Sequence, residues 1–262
     1  MAIPISLIAP AAHAWLCAEH QPRVLHAFPN ALNLINADGE ILSLVNPQLG
    51  PGPFSAVLGK PLAFERLAAD ERVEFSDGNL VIGNWITETS HAKLWNPRPR
   101  WELLVPENLA WAEPILADEL LCSEIHPAIT NHQLPLRQDA ASMKIFADSL
   151  AGRGPGLTPS GDDVLMGMIH ALWAGVTPHE AQEIGGVMAA HAAPVTTSLS
   201  GAWLNAAARG EAGGAWHDLI DQVIKKNGAG LRTAAHRILQ TGHTSGADAL
   251  AGFIAQMKTT LH

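Results

Sequence analysis

The chain has 262 residues and a formal charge of −9, with 16 basic against 25 acidic side chains. That length suffices for one large domain or two modest ones, each with its own core, and the acidic balance argues against a nucleic-acid or anionic-membrane partner, because either needs a basic surface. Cys17 and Cys122 form no disulfide framework and stand in no metal-ligand pair, so both read as inert buried thiols.

The N-terminal stretch MAIPISLIAPAAHAWLC is mildly apolar, but it lacks a basic leader and is interrupted by Pro4, Pro10 and His13, which makes it a poor signal peptide. No window supplies about twenty uninterrupted apolar residues. A soluble, cytoplasmic protein is expected. Residues 23–88 then carry strand patterning. Short aliphatic runs at 30–36 and 40–46 are joined by Ala37-Asp38-Gly39, a hairpin signal. Further runs follow at 54–58, 72–75 and 80–87, the last two joined at Ser76-Asp77-Gly78-Asn79. Such spacing predicts a small antiparallel sheet or barrel. The Gly50 to Pro53 loop reads most simply as a rigid strand connection.

KLWNPRPRW at 93–101 sets two arginines among tryptophans and prolines. It is too short for a single-stranded nucleic-acid surface. It reads as the connection between halves, with its tryptophans packed across the interface, and its alternative role is recognition of an anion or a partner protein. From about Glu107 the period becomes helical: 108–121, 138–150, a helix after Thr177-Pro178 stopped by Pro194, GAWLNAAARG at 201–210, 216–226, 231–239 and a last C-terminal helix. The expectation is an α+β protein, with a β-rich module over 1–104 and a helical bundle of about seven helices over 105–262.

The most specified stretch is GRGPGLTPSGDD at 152–163, which opens into the apolar run VLMGMIHALWAG. Its glycines and prolines dictate an unusual backbone path. Ser160 as N-cap with Asp163 three positions on would form a capping box. The helix N-terminus favours an anion, which the carboxylates of Asp162 and Asp163 repel unless a cation such as Mg²⁺ mediates. The stretch is therefore a phosphate-plus-metal site or a well-capped helix alone. Eighty-five residues on, SGADALAGFI at 245–254 matches SGDDVLMGMI at 160–169 in the pattern S-G-x-D-x-L-x-G-x-I. Two helices start by one device, and Gly167 and Gly252 would let them pack closely with their starts facing one site. The alternative is a pair of capping boxes with small residues at a helix crossing.

Common motifs are absent. The loop lacks the Gly-Lys-Ser/Thr of a P-loop, and it follows a helix rather than the strand of a dinucleotide fingerprint. None of the thirteen histidines forms a tight ligand pair, so His126, His132, His170, His179, His191 and His243 read as core or surface residues, with His243 near enough to Ser245 to line a site. Ser160, Ser200 and Ser245 lie outside any G-x-S-x-G elbow, which argues against a serine nucleophile. Thr197 and Ser200 stand at another helix start, where N-capping is the simpler role and hydrogen bonding to a polar substrate the alternative. Arg153 is the cation of the loop.

GPGLTPSGDD at 154–163, T-x-x-S at 197–200 and GHTSGADALAG at 242–252 resemble the AllH-like family, associated with oxamate carbamoyltransferase. The resemblance implies a subunit of a multi-protein enzyme of anaerobic allantoin degradation that converts oxalurate and phosphate to oxamate and carbamoyl phosphate, alongside larger partner subunits. It suits a site in which Gly156, Thr158, Ser160, Gly161, Thr197, Ser200, Ser245 and Gly246 bind a small anionic substrate or phosphate through hydroxyls and backbone N–H groups. Asp163 and Asp248 would orient the two turns, and Asp162 would hold Mg²⁺. A different class of function, a non-catalytic assembly or anion-sensing subunit, is compatible with the same turns.

Overall fold

Alternation of buried Ile3 and Ile5 with exposed Pro4 and Ser6 makes a strand of the N-terminal stretch, β1 (Ala2–Ile8), despite its proline. The computed structural model describes residues 2–18, 21–67, 71–76, 79–128 and 139–261. The Asp77-Gly78 turn, His132 and the anticipated helix start at Gln138 lie outside them. Two compact units divide between Pro97 and Arg98.

The first unit is one nearly closed, barrel-like sheet. Its strands are β1, β2 (Arg23–Ala27), β3 (Ala31–Ile35), β4 (Ile41–Val45), β5 (Ser55–Leu58), β6 (Val73–Ser76), β7 (Asn79–Ile82), β8 (Trp85–Glu88) and β9 (Lys93–Leu94), in the order β2-β3-β4-β5-β1-β8-β7-β6, with β9 also on β1. The β3–β4 hairpin and the β6–β7 pair are antiparallel as their turn signals require. The sheet as a whole is mixed rather than antiparallel. The proline-rich stretch 47–53 carries the chain across so that β4 and β5 run parallel, and β1 sits in the middle with β8 and β9 parallel to it. Residues 80–87 are not one strand, because Gly83 at φ +54° turns the chain between β7 and β8. A short helix, α1 (Pro10–Cys17), begins at Pro10, where a missing N–H costs nothing. Ile3, Ile5, Leu32, Leu34, Leu42, Leu44, Phe64 and Ile82 form the core of this unit.

The second unit is all helical among its described residues: α2 (Pro106–Cys122), α3 (Ala140–Leu150), α4 (Ser160–Gly175), α5 (Pro178–Ala192), α6 (Ser198–Ala208), α7 (Gly214–Lys225), α8 (Gly228–Leu239) and α9 (Ser245–Leu261). Thr177 and Glu180 form a true capping box at α5. The KLWNPRPRW run divides its loyalties. Trp95 packs on the core of the sheet unit, whereas Trp101 donates Nε1–H to the Gly210 carbonyl at 2.8 Å, Arg98 lies 4.9 Å from the Trp173 ring and Arg100 pairs with Asp221 at 2.7 Å, all within the helical unit. Both thiols are exposed rather than buried, since Cys17 and Cys122 are the last residues of α1 and α2.

α4 is the axis of the helical unit. It is buried along nearly its whole length and crosses α9 at backbone distance. A Cβ on Gly167 would come within 2.7 Å of the carbonyl carbon of Ala249, and one on Gly252 within 2.9 Å of that of Val164. Both contacts are with backbone, which cannot yield as a side-chain end can. Gly167→Ala is therefore expected to cost about 3 kcal/mol of unfolding free energy. Gly186→Ala, in α5 where an added Cβ meets nothing within 4 Å, should instead stabilise by about 0.5–1 kcal/mol. Denaturant unfolding of the two variants checks the contrast.

Candidate functional site

The glycine crossing sets the starts of α4 and α9 side by side, and the turns that lead into them are wired alike. In the first, Arg153 N–H donates to Leu150 O at 3.0 Å and Gly161 N–H donates to Arg153 O at 2.8 Å; in the second, Thr241 N–H donates to Ile238 O at 2.9 Å and Gly246 N–H to Thr241 O at 3.0 Å. Gly154 and Gly242, each just after the pivot residue, take positive φ of +114° and +64°. Only glycine adopts these comfortably. The repeat in sequence is thus a repeat in structure, α3-turn-α4 and α8-turn-α9.

The anticipated capping boxes at these two starts do not form. Pro159 occupies the N-cap position of α4 with no side-chain cap, and its carbonyl accepts from Asp162 N–H at 2.9 Å and Asp163 N–H at 3.2 Å. Thr244 O likewise accepts from Asp248 N–H at 2.9 Å. Ser160 and Ser245 are the first helical residues, so their hydroxyls are released from capping. The Ser245 hydroxyl reaches instead to Thr158 Oγ1, 2.8 Å away at the end of the other turn. The wiring also engages the N–H groups of Gly161, Asp162 and Gly246 internally, which takes these three out of the anticipated anion cradle.

Adjacent carboxylates on α4 have opposite surroundings. Asp162, 1% exposed, accepts from Gly152 N–H at 2.8 Å through Oδ1, and through Oδ2 from Ser200 Oγ at 2.8 Å and from Thr196 Oγ1. It ties the start of the glycine turn to the start of α6. Three donors reach its two oxygens, and no group of three or more His, Cys, Asp or Glu side chains among the described residues is placed to hold a metal. Asp163, 5% exposed, has its carboxyl pushed up to about 7 by burial, with the Asp248 and Asp162 charges adding to the rise and the Ser245 and Thr158 hydroxyls opposing it. Its Oδ2 is buried without a hydrogen-bond partner. Asp248, wholly buried, accepts from the Ala128 N–H at 2.8 Å.

The remaining residues frame this centre. Thr197 N-caps α6 through Ser200 N–H at 3.1 Å and donates to the Leu157 carbonyl, which holds the glycine turn from below. Gly156, at φ +99°, is exposed, as are Arg153 and His243. His170 lies in the core of the helical unit, stacked on Trp101 and edge-on to Trp216, and burial depresses its pKa to about 4. His191 pairs with Asp148. Thr196 and Ala128 escaped sequence reasoning. Thr196 carried the faint signal of a second hydroxyl beside the cap; Ala128 carried none.

Fold and site together define an α+β protein whose helical half is built on two glycine-crossed, duplicated helix starts. Residues 5–94 match the AllH family N-terminal domain, and residues 150–257 match the family model described as oxamate carbamoyltransferase subunit AllH. The chain belongs to the AllH family. No solved structure matches it.

Two outcomes follow from the geometry. Asp162→Ala leaves buried donors without an acceptor and should cost about 3 kcal/mol of stability, read by denaturant unfolding. Asp163 is raised in the folded state, so its contribution is fully present below the ordinary carboxyl pKa of 3.8 and is lost as pH rises towards about 7. The stability advantage of Asp163→Asn over the natural chain should accordingly grow across that window, at no more than about 1.4 kcal/mol per pH unit, and level off above it.

Proposed function

We propose that the chain is the AllH subunit of an oxamate carbamoyltransferase that works with other subunits, in the cytoplasm, to convert oxalurate and phosphate to oxamate and carbamoyl phosphate during anaerobic use of allantoin nitrogen. The observation that carries this beyond family membership is Asp163: a buried carboxyl titrating near neutrality, where two helix starts meet, flanked by Thr158 and Ser245. Phosphorolysis of oxalurate forms a bond from a phosphate oxygen to the carbamoyl carbon and breaks the bond from that carbon to the oxamate nitrogen. The leaving nitrogen must gain a proton. Asp163, protonated, gives it, and takes back the proton that hydrogen phosphate loses, so the balance closes without another reactant.

Negative charge on the attacked carbonyl oxygen and on phosphate is favoured by the positive ends of α4 and α9. The hydroxyls of Thr158, Ser160 and Ser245 and the open backbone at Gly156 are the groups proposed to bind. Gly161 and Gly246 supply close approach rather than donors, and Asp162, Thr197 and Ser200 position the turn. Asp248 orients its own helix start through Ala128. The internal use of the Gly161 and Gly246 amides favours one second reading, a non-catalytic assembly or anion-sensing subunit.

Turnover by the assembled enzyme separates the two. With Asp163→Asn, carbamoyl phosphate formation should fall at least about 100-fold while Tm at pH 6 is kept, the size of a lost general acid. The natural enzyme's rate should decline as pH rises through about 7. Unchanged turnover by the variant would assign the chain to assembly.

A further inference from the structure

The wiring that starts α4 closes a loop of chain at its base. Gly161 N–H donates to Arg153 O at 2.8 Å, and a Cβ on Gly154 would come within 2.8 Å of the Ser160 nitrogen, so the two ends of the stretch lie against each other. Between them run Pro155, Gly156, Leu157 and Thr158, the first three exposed and all four without a backbone–backbone hydrogen bond to any described residue. Two hydroxyls from other helices hold the tip. Thr197 Oγ1, at the N-cap of α6, donates to the Leu157 carbonyl, and Ser245 Oγ, at the start of α9, lies 2.8 Å from Thr158 Oγ1. The start of α9 shares the base wiring but has three residues, Gly242 to Thr244, where the start of α4 has six. The outward loop is therefore additional to the helix start that carries it.

We infer that Pro155 to Thr158 form a flap that opens and closes over Asp163, with Gly156 as its hinge and the Thr197 and Ser245 hydroxyls as its two latches. Thr158 is the part of the flap that meets the carboxyl, since its hydroxyl interacts with both Asp163 and Ser245, and Asp163 is only 5% exposed. Gly156 stands at φ +99° with nothing within 4 Å of an added Cβ, so its backbone turns without a clash. Pro155 and Pro159 have φ fixed by their rings, and Gly154 is pinned against Ser160, which confines the movement to the tip. Lifting that tip breaks two side-chain hydrogen bonds and no backbone ladder, a barrier of the kind that lids cross in microseconds to milliseconds. The latches come from different helices, α6 and α9, so closure needs both in place. The flap belongs to the fold and does not depend on which reaction the centre performs.

Relaxation-dispersion NMR of the full chain, with leucine and threonine methyls labelled, reads this motion. The Leu157 and Thr158 methyls should show microsecond-to-millisecond exchange, while those of Leu165 and Leu250, buried at the glycine crossing, stay flat. Thr197→Asp keeps an acceptor for the Ser200 N–H at the N-cap but cannot donate to Leu157, so the open-to-closed ratio should rise about fivefold, the weight of one hydrogen bond. Thr197→Ser, which keeps both bonds, should match the natural chain. Opening lets water reach Asp163, so the pKa of its carboxyl, followed by ¹³C titration, should fall in Thr197→Asp from about 7 towards 3.8, whereas the added charge beside a fixed turn would raise it. Flat dispersion at Leu157 and Thr158 in the natural chain overturns the inference, and that measurement decides alone if a variant does not fold. A carboxyl that titrates in Thr197→Asp at or above its natural value overturns it as well.

Discussion

Everything at this centre depends on two glycines having no side chain. Gly167 lies against the backbone of Ala249 and Gly252 against that of Val164, reciprocal contacts separated by the same 85 residues as the motif itself. Helices that touch through backbone cross at shorter distance than helices separated by side chains, which ordinarily lie 8–10 Å apart. That closeness is what allows a serine at the start of α9 to interact with an aspartate and a threonine at the start of α4. The helix interior would otherwise favour alanine at both positions, because glycine is costly there. The cost is offset by burial, since Val164, Leu165, Met168, Ile169, Leu250 and Phe253 are all lost to solvent around the crossing.

The crossing also explains why neighbouring carboxylates differ. Successive residues on a helix point about 100° apart, so Asp162 faces α6 and the glycine turn while Asp163 faces α9. On its side Asp162 meets a backbone N–H and two hydroxyls, which satisfy a buried carboxylate. On the other side Asp163 meets two hydroxyls and the field of Asp248, and one of its oxygens is unmatched. A buried carboxyl in that position lowers its energy by holding a proton. The same turn of helix therefore holds one carboxylate that is satisfied as an anion and one carboxyl biased towards its protonated form.

Much of this was legible before the fold was known, and the limits are physical. The repeated S-G-x-D-x-L-x-G-x-I pattern implied that two helices begin alike and approach closely, and they do. The same letters suggested serine caps, because S-x-x-D is chemically apt for one; Pro159 and Thr244 stand one residue earlier, and the carbonyls at those positions begin each helix instead. β1 was hidden by Pro4, which has no N–H to donate but still accepts from Gly59 N–H at 2.8 Å through its carbonyl, and the mixed sheet was hidden because a crossover and a hairpin can follow the same aliphatic run. Thr196, one of the donors to Asp162, and Ala128, a donor to Asp248, are remote in sequence from their partners. Local pattern carries no information about such pairs.

The way the repeat is broken separates what the two helix starts share from where they differ. Both halves share the pivot, the positive-φ glycine, the serine and the aspartate, so these features belong to construction. The difference lies in the turn. Between its pivot and its serine the second half has only Gly242, His243 and Thr244, and its aspartate accepts a backbone amide from the segment after α2 through Oδ1. The first half has six residues there, Gly154 to Pro159, exposed over most of their length and free of a Cβ clash at Gly156. The two turns share their pivot wiring and differ in length, six residues against three, so the extra chain between Gly154 and Pro159 is not what starting such a helix requires.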